Sequence, residues 1–415
     1  MTETNADGWV SSTHRPMGFP EFVAIVAGIM ALNPIAMDLM LPALPEIGHA
    51  FAVANENAVQ NVLSVFVLGF GIGQFIMGPL TDRFGRRRVL ILGMTLYIAA
   101  SVVAALAPSF GMLLLARLFQ GLSTSATRVI ATSMVRDCYT GRRMASILSL
   151  ITMIFIAVPV IAPSFGQLIL LGTGWRGIFV VLFLYGIAAL IWSALRLPET
   201  LPMSERKSLE WREVLGNYRR TITNRQTLGY SLAAGGVQAV LYGFVFSAEQ
   251  IFTDIFDLGR LFPIAFACVA VGIAAASLLN SRLVGRLGMR VISHSALVIL
   301  LVATCAMALA VHFGMLSLAV FMPLAILCTF SFGLSFANFT ALALEPQGHI
   351  AGTASSMFGT MTTLVSTAIG YSISQGFDGS LAPFAAGSAL SAAMALAVAA
   401  ITEKGRLFRP HGKPV

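Results

Sequence analysis

Twelve stretches of about 20 apolar residues follow one another along the chain, near 19–41, 58–80, 88–107, 110–135, 144–170, 176–196, 227–249, 261–282, 290–311, 316–340, 351–375 and 381–401. A bilayer's hydrocarbon core, ~30 Å thick, takes about 20 residues as helix. Within it every backbone N–H and C=O must be bonded inside the segment or to a closed barrel. These runs are continuous rather than alternating with period two, so they read as helices and not as barrel strands. Only 11% of the residues are charged, against roughly 25% in soluble domains, and mean hydropathy is +0.84. That is too little polar surface to face water on all sides. The expected fold is an all-α integral membrane protein. The first run is too long for a cleavable signal and is expected to stay as the first span.

The Lys and Arg residues orient these spans. Of 26, all but four lie in segments that share one side if the N-terminus is cytoplasmic. Arg176 and Arg260 fall on the other side, and Arg117 and Arg128 fall inside the fourth run. The positive-inside rule then places both termini in the cytoplasm of a cell whose inner (plasma) membrane holds the chain. The net charge of +8 does not point to nucleic acid. The basic residues occupy short gaps between apolar runs, where lipid head groups are their neighbours. Cys138, Cys268, Cys305 and Cys328 are far apart, show no metal spacing and read as small packing residues.

The polar gap 197–226 divides the spans six and six. It contains an amphipathic stretch around Leu209 to Tyr218 that reads as a surface helix. The expected organisation is a cytoplasmic tail at 1–18, a six-helix bundle at 19–196, a linker at 197–226, a second bundle at 227–402 and a cytoplasmic tail at 403–415. The halves echo each other: "DRFGRRR" follows the second span, and "GRLGMR" (285–290) follows the eighth. Superposing Gly85 on Gly288 pairs Arg83 with Arg286 and Arg87 with Arg290. Two parallel six-helix halves suggest a transporter whose site lies between them.

Four motifs carry a family resemblance. They are "GPLTDRFGRRRVL" (78–90), "LLLARLFQGLSTSA" (113–126), "NPIAMDLMLPALPEI" (33–47) and "VPVIAPSFGQLI" (158–169). Together they resemble the major facilitator superfamily, and within it the twelve-helix drug:proton antiporters of the bicyclomycin-resistance-like (Bcr/CflA) kind. The fourth motif is similar to the family's fifth-helix antiporter pattern through Pro159, Pro163 and Gly166, but Val158 and Ala162 stand where glycines are usual. The resemblance implies two bundles related by pseudo-two-fold symmetry and alternating access. It implies a monomer that exchanges protons for lipophilic or amphipathic drug-like compounds, without a cofactor. Export of an endogenous metabolite, such as an amino acid or sugar derivative, is the alternative on the same scaffold. No GxxxxGK[ST], HExxH or GxSxG motif occurs, so neither an ATP-driven pump nor a membrane enzyme is expected.

Two groups of charges invite specific roles. In the loop motif, Gly78 permits close helix approach and Gly85 a tight turn, while Arg86 is placed to pair with Asp137. The resemblance implies that Asp82 meets the start of the eleventh span, "HIAGTASS" (349–356). Asp82, Arg83 and Arg86 then either latch the cytoplasmic side shut or only enforce topology. Asp38 lies inside an apolar run, where an ionised carboxylate costs ~2.5–3.5 kcal/mol on insertion scales. Arg117 on the fourth span is its candidate partner by depth, if the first helix continues a turn past Pro42. The pair either exchanges contacts during a proton-coupled cycle or is a fixed ion pair. Met30 occupies the depth at which related antiporters carry a second acid.

The remaining polar and aromatic positions in the spans form an expected substrate cavity: Asn33, Met37, Gln120, Ser123, Thr124, Gln238, Tyr242, Phe332, Phe336 and Asn338. Aromatic and Met side chains repack around varied lipophilic solutes. Arg128 either extends a polar track from Arg117 or snorkels to the cytoplasmic surface. Glu249, Asp254 and Asp257 read as a solvated vestibule at the outer end of the seventh span.

Overall fold

A computed structural model describes residues 17–139, 141–206 and 211–409. All its regular elements, among these residues, are helical. In chain order they are α1 (Phe19–Asp38), α2 (Leu44–Ala50), α3 (Glu56–Val59), α4 (Asn61–Phe84), α5 (Arg86–Ala105), α6 (Phe110–Cys138) and α7 (Gly141–Arg196). After these come α8 (Trp211–Thr223), α9 (Arg225–Gln250), α10 (Phe262–Leu287), α11 (Met289–His312), α12 (Leu318–Leu344), α13 (Ala351–Gln375) and α14 (Ala382–Thr402).

Among the described residues, nine helical stretches are long and apolar enough in their own right to cross a membrane. One of them, Ala157–Arg196, is 40 residues long and belongs to α7, which carries two crossings. The break comes at Gly174, with φ 70° and ψ −177°, a conformation that is essentially glycine-only. There the N–H of Trp175 donates to Glu46 Oε1 at 3.4 Å, giving the restarted helix an acceptor at its first turn. Helices α6 and α13 complete the set of twelve among the described residues. Ser and Thr are frequent in both, and α6 also carries three arginines, which keeps them below the apolar threshold. The twelve-span reading holds.

The chain packs as two compact units. One comprises residues up to Ala52 with Val65–Gly216, the other Val53–Ser64 with Asn217 onward. In the first, α1 packs on α7 and α6, and α5 packs on α6 and α7. In the second, α9 packs on α13, α14 and α12, while α12 also receives α10 and α11. Segment 53–64 is held to the second unit by Asn57. Its Nδ2 donates to the carbonyls of Gln375 (3.1 Å) and Phe377 (2.8 Å), and its Oδ1 accepts from Gln250 Nε2 (2.8 Å).

The internal repeat is visible in backbone and packing. Gly85 (φ 91°, ψ 155°) precedes α5 and Gly288 (φ 81°, ψ 156°) precedes α11, in the same rare conformation. Gly121 on α6 sits against the Phe66 carbonyl of α4, as Gly333 on α12 sits against Ile273 of α10. Small residues of this kind let membrane helices approach without a hydrophobic drive between them. The outer faces carry exposed Leu92, Leu106, Leu168, Leu195, Leu278 and Ile401. That much apolar exposure is stable only against lipid.

Two expectations shift. The surface helix runs Trp211–Thr223, further along than the sequence pattern suggested, and residues 207–210 lie outside the described set. The tails 1–16 and 410–415 also lie outside it. The first helix does not continue past Pro42. It ends at Asp38, a 3₁₀ turn follows at Leu41–Ala43, and a new helix starts at Leu44. Pro42 and Pro45 supply no N–H to continue the ladder, and each sits in the first turn of a new segment, where none is needed.

Candidate functional site

Asp38 is the last residue of α1, beside this break, and is 5% exposed. Among the described residues it has no ion-pair or hydrogen-bond partner. The turn after it is pressed by the fifth span: a side chain at Gly166 would fall on the Leu39 carbonyl and 3.1 Å from the Pro42 ring. Pro159 and Pro163 lie inside the same α7 crossing, Pro163 buried. The antiporter-like segment therefore braces the exit of α1 next to its acid.

Arg117 is fully buried on α6, and the expected ion pair with Asp38 is not formed. Its Nη1 donates to Gln120 Oε1 at 2.6 Å, and its guanidinium carbon lies 4.2 Å from the Phe66 ring centroid. Residues three apart on a helix share a face, so Gln120 reaches the guanidinium before a group on another helix does. Gln120 Nε2 donates to Ser101 Oγ at 2.8 Å, and Ser101 donates to the Tyr97 carbonyl at 2.8 Å. A cation over an aromatic face in a desolvated site gains roughly 2 kcal/mol or more. Gln120 and the Phe66 ring thus seat Arg117, with Ser101 of α5 supporting Gln120.

The expected cavity residues divide. Gln120, Ser123 and Thr124 are fully buried. The hydroxyls of Ser123 and Thr124 donate to the carbonyls of Phe119 and Gly121 on their own helix, so the polar groups of all three are used within the first unit. Asn33 is half-buried, Met37 buried, and Arg128 half-buried with its guanidinium 5.8 Å from the Phe70 centroid. In the second unit Gln238 and Tyr242 lie one turn apart on α9, and Tyr242 stacks on Phe246 at 5.4 Å. Phe332 and Phe336 are 5.0 Å apart, and Phe336 is 6.2 Å from Phe358. Asn338 is buried and donates to Asn280 Oδ1 at 2.8 Å, tying α12 to α10.

The loop motif builds an ionic cluster within the first unit. Arg86 Nη1 bonds Asp82 Oδ1 at 2.5 Å, Arg86 Nε bonds Asp137 Oδ2 at 3.2 Å, and Nη1 also reaches Thr81 Oγ1 at 2.9 Å. The Thr81 hydroxyl donates to the Gly78 carbonyl at 2.8 Å. Arg83 is exposed, 5.6 Å from the Phe84 ring centroid. Sequence reasoning missed three members from the linker. Glu199 Oε1 accepts the Arg86 N–H at 2.8 Å, Thr200 donates to Asp137 Oδ2 at 3.1 Å, and Arg206 lies 3.7 Å from Glu199 Oε2. The repeat held the signal. In the second unit Arg290 Nε bonds Glu403 Oε1 at 3.0 Å, and Arg290 follows Arg86 at the same interval as Glu403 follows Glu199. Arg86 meets Glu199 through its backbone N–H and Arg290 meets Glu403 through its side chain, so the two halves hold related but not identical acid contacts beside turns that keep the Gly85–Gly288 register.

A family profile described as Major Facilitator Superfamily matches residues 26–371. The chain belongs to the major facilitator superfamily. Among relatives, it is 32% identical over 367 residues to the uncharacterized MFS-type transporter YdgK of Bacillus subtilis, covering 86% of this chain and 89% of that protein. It is 29% identical over 353 residues to the bicyclomycin resistance protein homolog of Haemophilus influenzae, covering 84% and 87%. It is 35% identical over 192 residues to the multidrug resistance protein MdtL of Escherichia coli, covering 46% and 49%. The human organic anion transporter MFSD10 (TETRAN) shares its fold with a TM-score of 0.68 at 18% identity, covering 92% of this chain and 100% of that one. The protein is a multi-pass membrane transporter of this superfamily, not an enzyme.

In this superfamily member the paired glycines offer an internal comparison. Alanine at Gly85 or Gly288 must adopt a φ/ψ region that costs about 1–3 kcal/mol. At Gly85 its methyl also meets the Glu199 carboxylate and Arg206, whereas nothing lies within 4 Å at Gly288. Gly85→Ala should lower the melting temperature in detergent more than Gly288→Ala, and Glu199→Ala should remove much of that difference. Equal shifts for the two glycines would show that Glu199 does not press on the turn.

Proposed function

We propose that this transporter is a proton-driven exporter of amphipathic drug-like compounds, with Asp38 as the group that takes up and releases the coupling proton. The observation that carries the reading is a buried acid, without a charged partner among the described residues, at the broken end of α1. A carboxylate so placed is costly when ionised. Water entry or the approach of a cation favours its charged form, and closure favours its protonated form. Arg117, held on Gln120 and Phe66, is the cation whose distance from Asp38 changes through the cycle. Each charge moved across the membrane supplies about 2.3 kcal/mol per 100 mV, enough to drive a solute uphill. Relatives named for bicyclomycin and multidrug resistance support the substrate class.

Asn33, Met37, Arg128, Gln238, Tyr242, Phe332 and Phe336 are assigned to the substrate path, and Gly78, Asp82, Arg83, Gly85, Arg86 and Asp137 to a latch on the cytoplasmic side. The protein works as a monomer in the bacterial inner membrane with both termini in the cytoplasm, as the Lys and Arg distribution supports. Proteoliposomes with an imposed pH gradient test the reading. Ethidium-like cations and neutral antibiotics should accumulate only while the gradient persists, and collapse with an ionophore should release them. Solute flux indifferent to the gradient would overturn proton coupling.

A further inference from the structure

The second unit contains a buried titratable cluster outside the proposed coupling site. His294 on α11 and Tyr230 on α9 are fully buried, and Glu403 at the end of α14 is 7% exposed. After α14 the chain reverses through left-handed residues Lys404 (φ 52°) and Gly405 (φ 75°), with Gly405 N–H bonded to the Ala400 carbonyl at 2.8 Å. This return lays Leu407 against the core of the unit and sets the Phe408 ring edge-on to His294, centroids 5.7 Å apart. The Phe408 N–H then donates to His294 Nδ1 at 3.1 Å.

That bond fixes the state of the ring. Nδ1 accepts, so it carries no hydrogen, and the neutral imidazole holds its hydrogen on Nε2. Nε2 faces Tyr230 Oη at 3.3 Å, and Tyr230 donates its own hydrogen to Glu403 Oε1 at 2.5 Å. The charged groups around the ring are Arg290 from its own helix and Glu403 from the end of α14, joined to each other at 3.0 Å. Glu345 at the end of α12 lies 3.7 Å from Arg290. A proton added at Nδ1 sets N–H against N–H and breaks the bond to Phe408.

We propose that His294 is a second proton-binding site, and that its occupancy decides whether residues 403–409 stay fastened as a strap across this end of the unit. Neutral His294 holds Phe408, and protonated His294 releases it. The fastening does not depend on the antiport reading; its consequence for transport does. On that reading this end faces the cytoplasm, where the strap stays fastened near neutral pH and is released only by strong local acidification.

Hydrogen–deuterium exchange on the purified full-length protein tests this, following the Phe408 amide in C-terminal peptides at about pH 8 and about pH 3.5, with labelling times scaled to the intrinsic rate. Protection of that amide should fall at least about tenfold between the two conditions. In His294→Asn the side-chain oxygen can stand in for Nδ1 without titrating, so protection should persist at both. In His294→Phe, checked by size exclusion and melting, it should be absent at both. Equal protection of the wild-type amide at both pH values would overturn the proposal. So would wild-type pH dependence in His294→Asn.

Discussion

Asp38→Asn should abolish accumulation of solute against a gradient in proteoliposomes while leaving insertion and folding intact. Asparagine keeps the size of the side chain and removes its titration. The expected loss in proton-driven flux is at least about a hundredfold, equivalent to ~2.7 kcal/mol of lost driving interaction. Downhill exchange of labelled for unlabelled solute should persist, because that step needs no proton. Stability should move the other way. A buried acid with no partner penalises the folded state whenever it is charged, so the melting temperature of Asp38→Asn should match or exceed that of wild type. Asp38→Glu, which still titrates, should retain measurable coupling. A variant Asp38→Asn that still concentrates substrate at the wild-type rate would remove Asp38 from the coupling role and leave the family fold untouched.

The spans were legible because a bilayer allows few solutions: a run of apolar residues must close its own hydrogen bonds. The turns before α5 and α11 were legible for a similar reason. Gly85 and Gly288 hold a backbone conformation that other residues adopt only under strain, so equal placement in the two halves is informative. Depth along a span was less informative. It placed Asp38 and Arg117 at compatible heights but said nothing about rotation around the helix axes. It also gave no weight to Gln120, which shares a face with Arg117 and takes its guanidinium.

The polar residues of α6 show a second limit. A small hydroxyl residue on a membrane helix suits a cavity wall and also a close helix contact. Ser123 and Thr124 are buried with hydroxyls returned to their own backbone, and the neighbouring Gly121 draws α4 close. Glu199 escaped notice because it lies in a segment that reads by composition as a linker. Its role comes from the three-dimensional return of that segment to the Gly85–Arg86 turn.

Gly166→Ala should cost at least about tenfold in transport rate, although it adds a single methyl group and is distant in sequence from every charged residue of the site. The methyl would occupy the space of the Leu39 carbonyl, one residue beyond Asp38, so either α7 or the exit of α1 must move. Overpacking of this kind costs roughly 1–3 kcal/mol in stability. Here it also displaces the break in α1 on which the buried acid depends. The control lies on the same helix: Gly172 has nothing within 4 Å of its prospective Cβ. Gly172→Ala should be neutral or more stable by about 0.4–1 kcal/mol, since alanine is the better helix former. Melting curves and pH-driven flux on the two variants separate the effects. If both transport like wild type, the fifth span does not brace the first, and the proline–glycine segment serves this transporter in some other way. If Gly166→Ala is stable yet uncoupled, so that downhill exchange survives while uphill accumulation fails, its contact with Leu39 positions Asp38 for proton exchange rather than merely packing two helices.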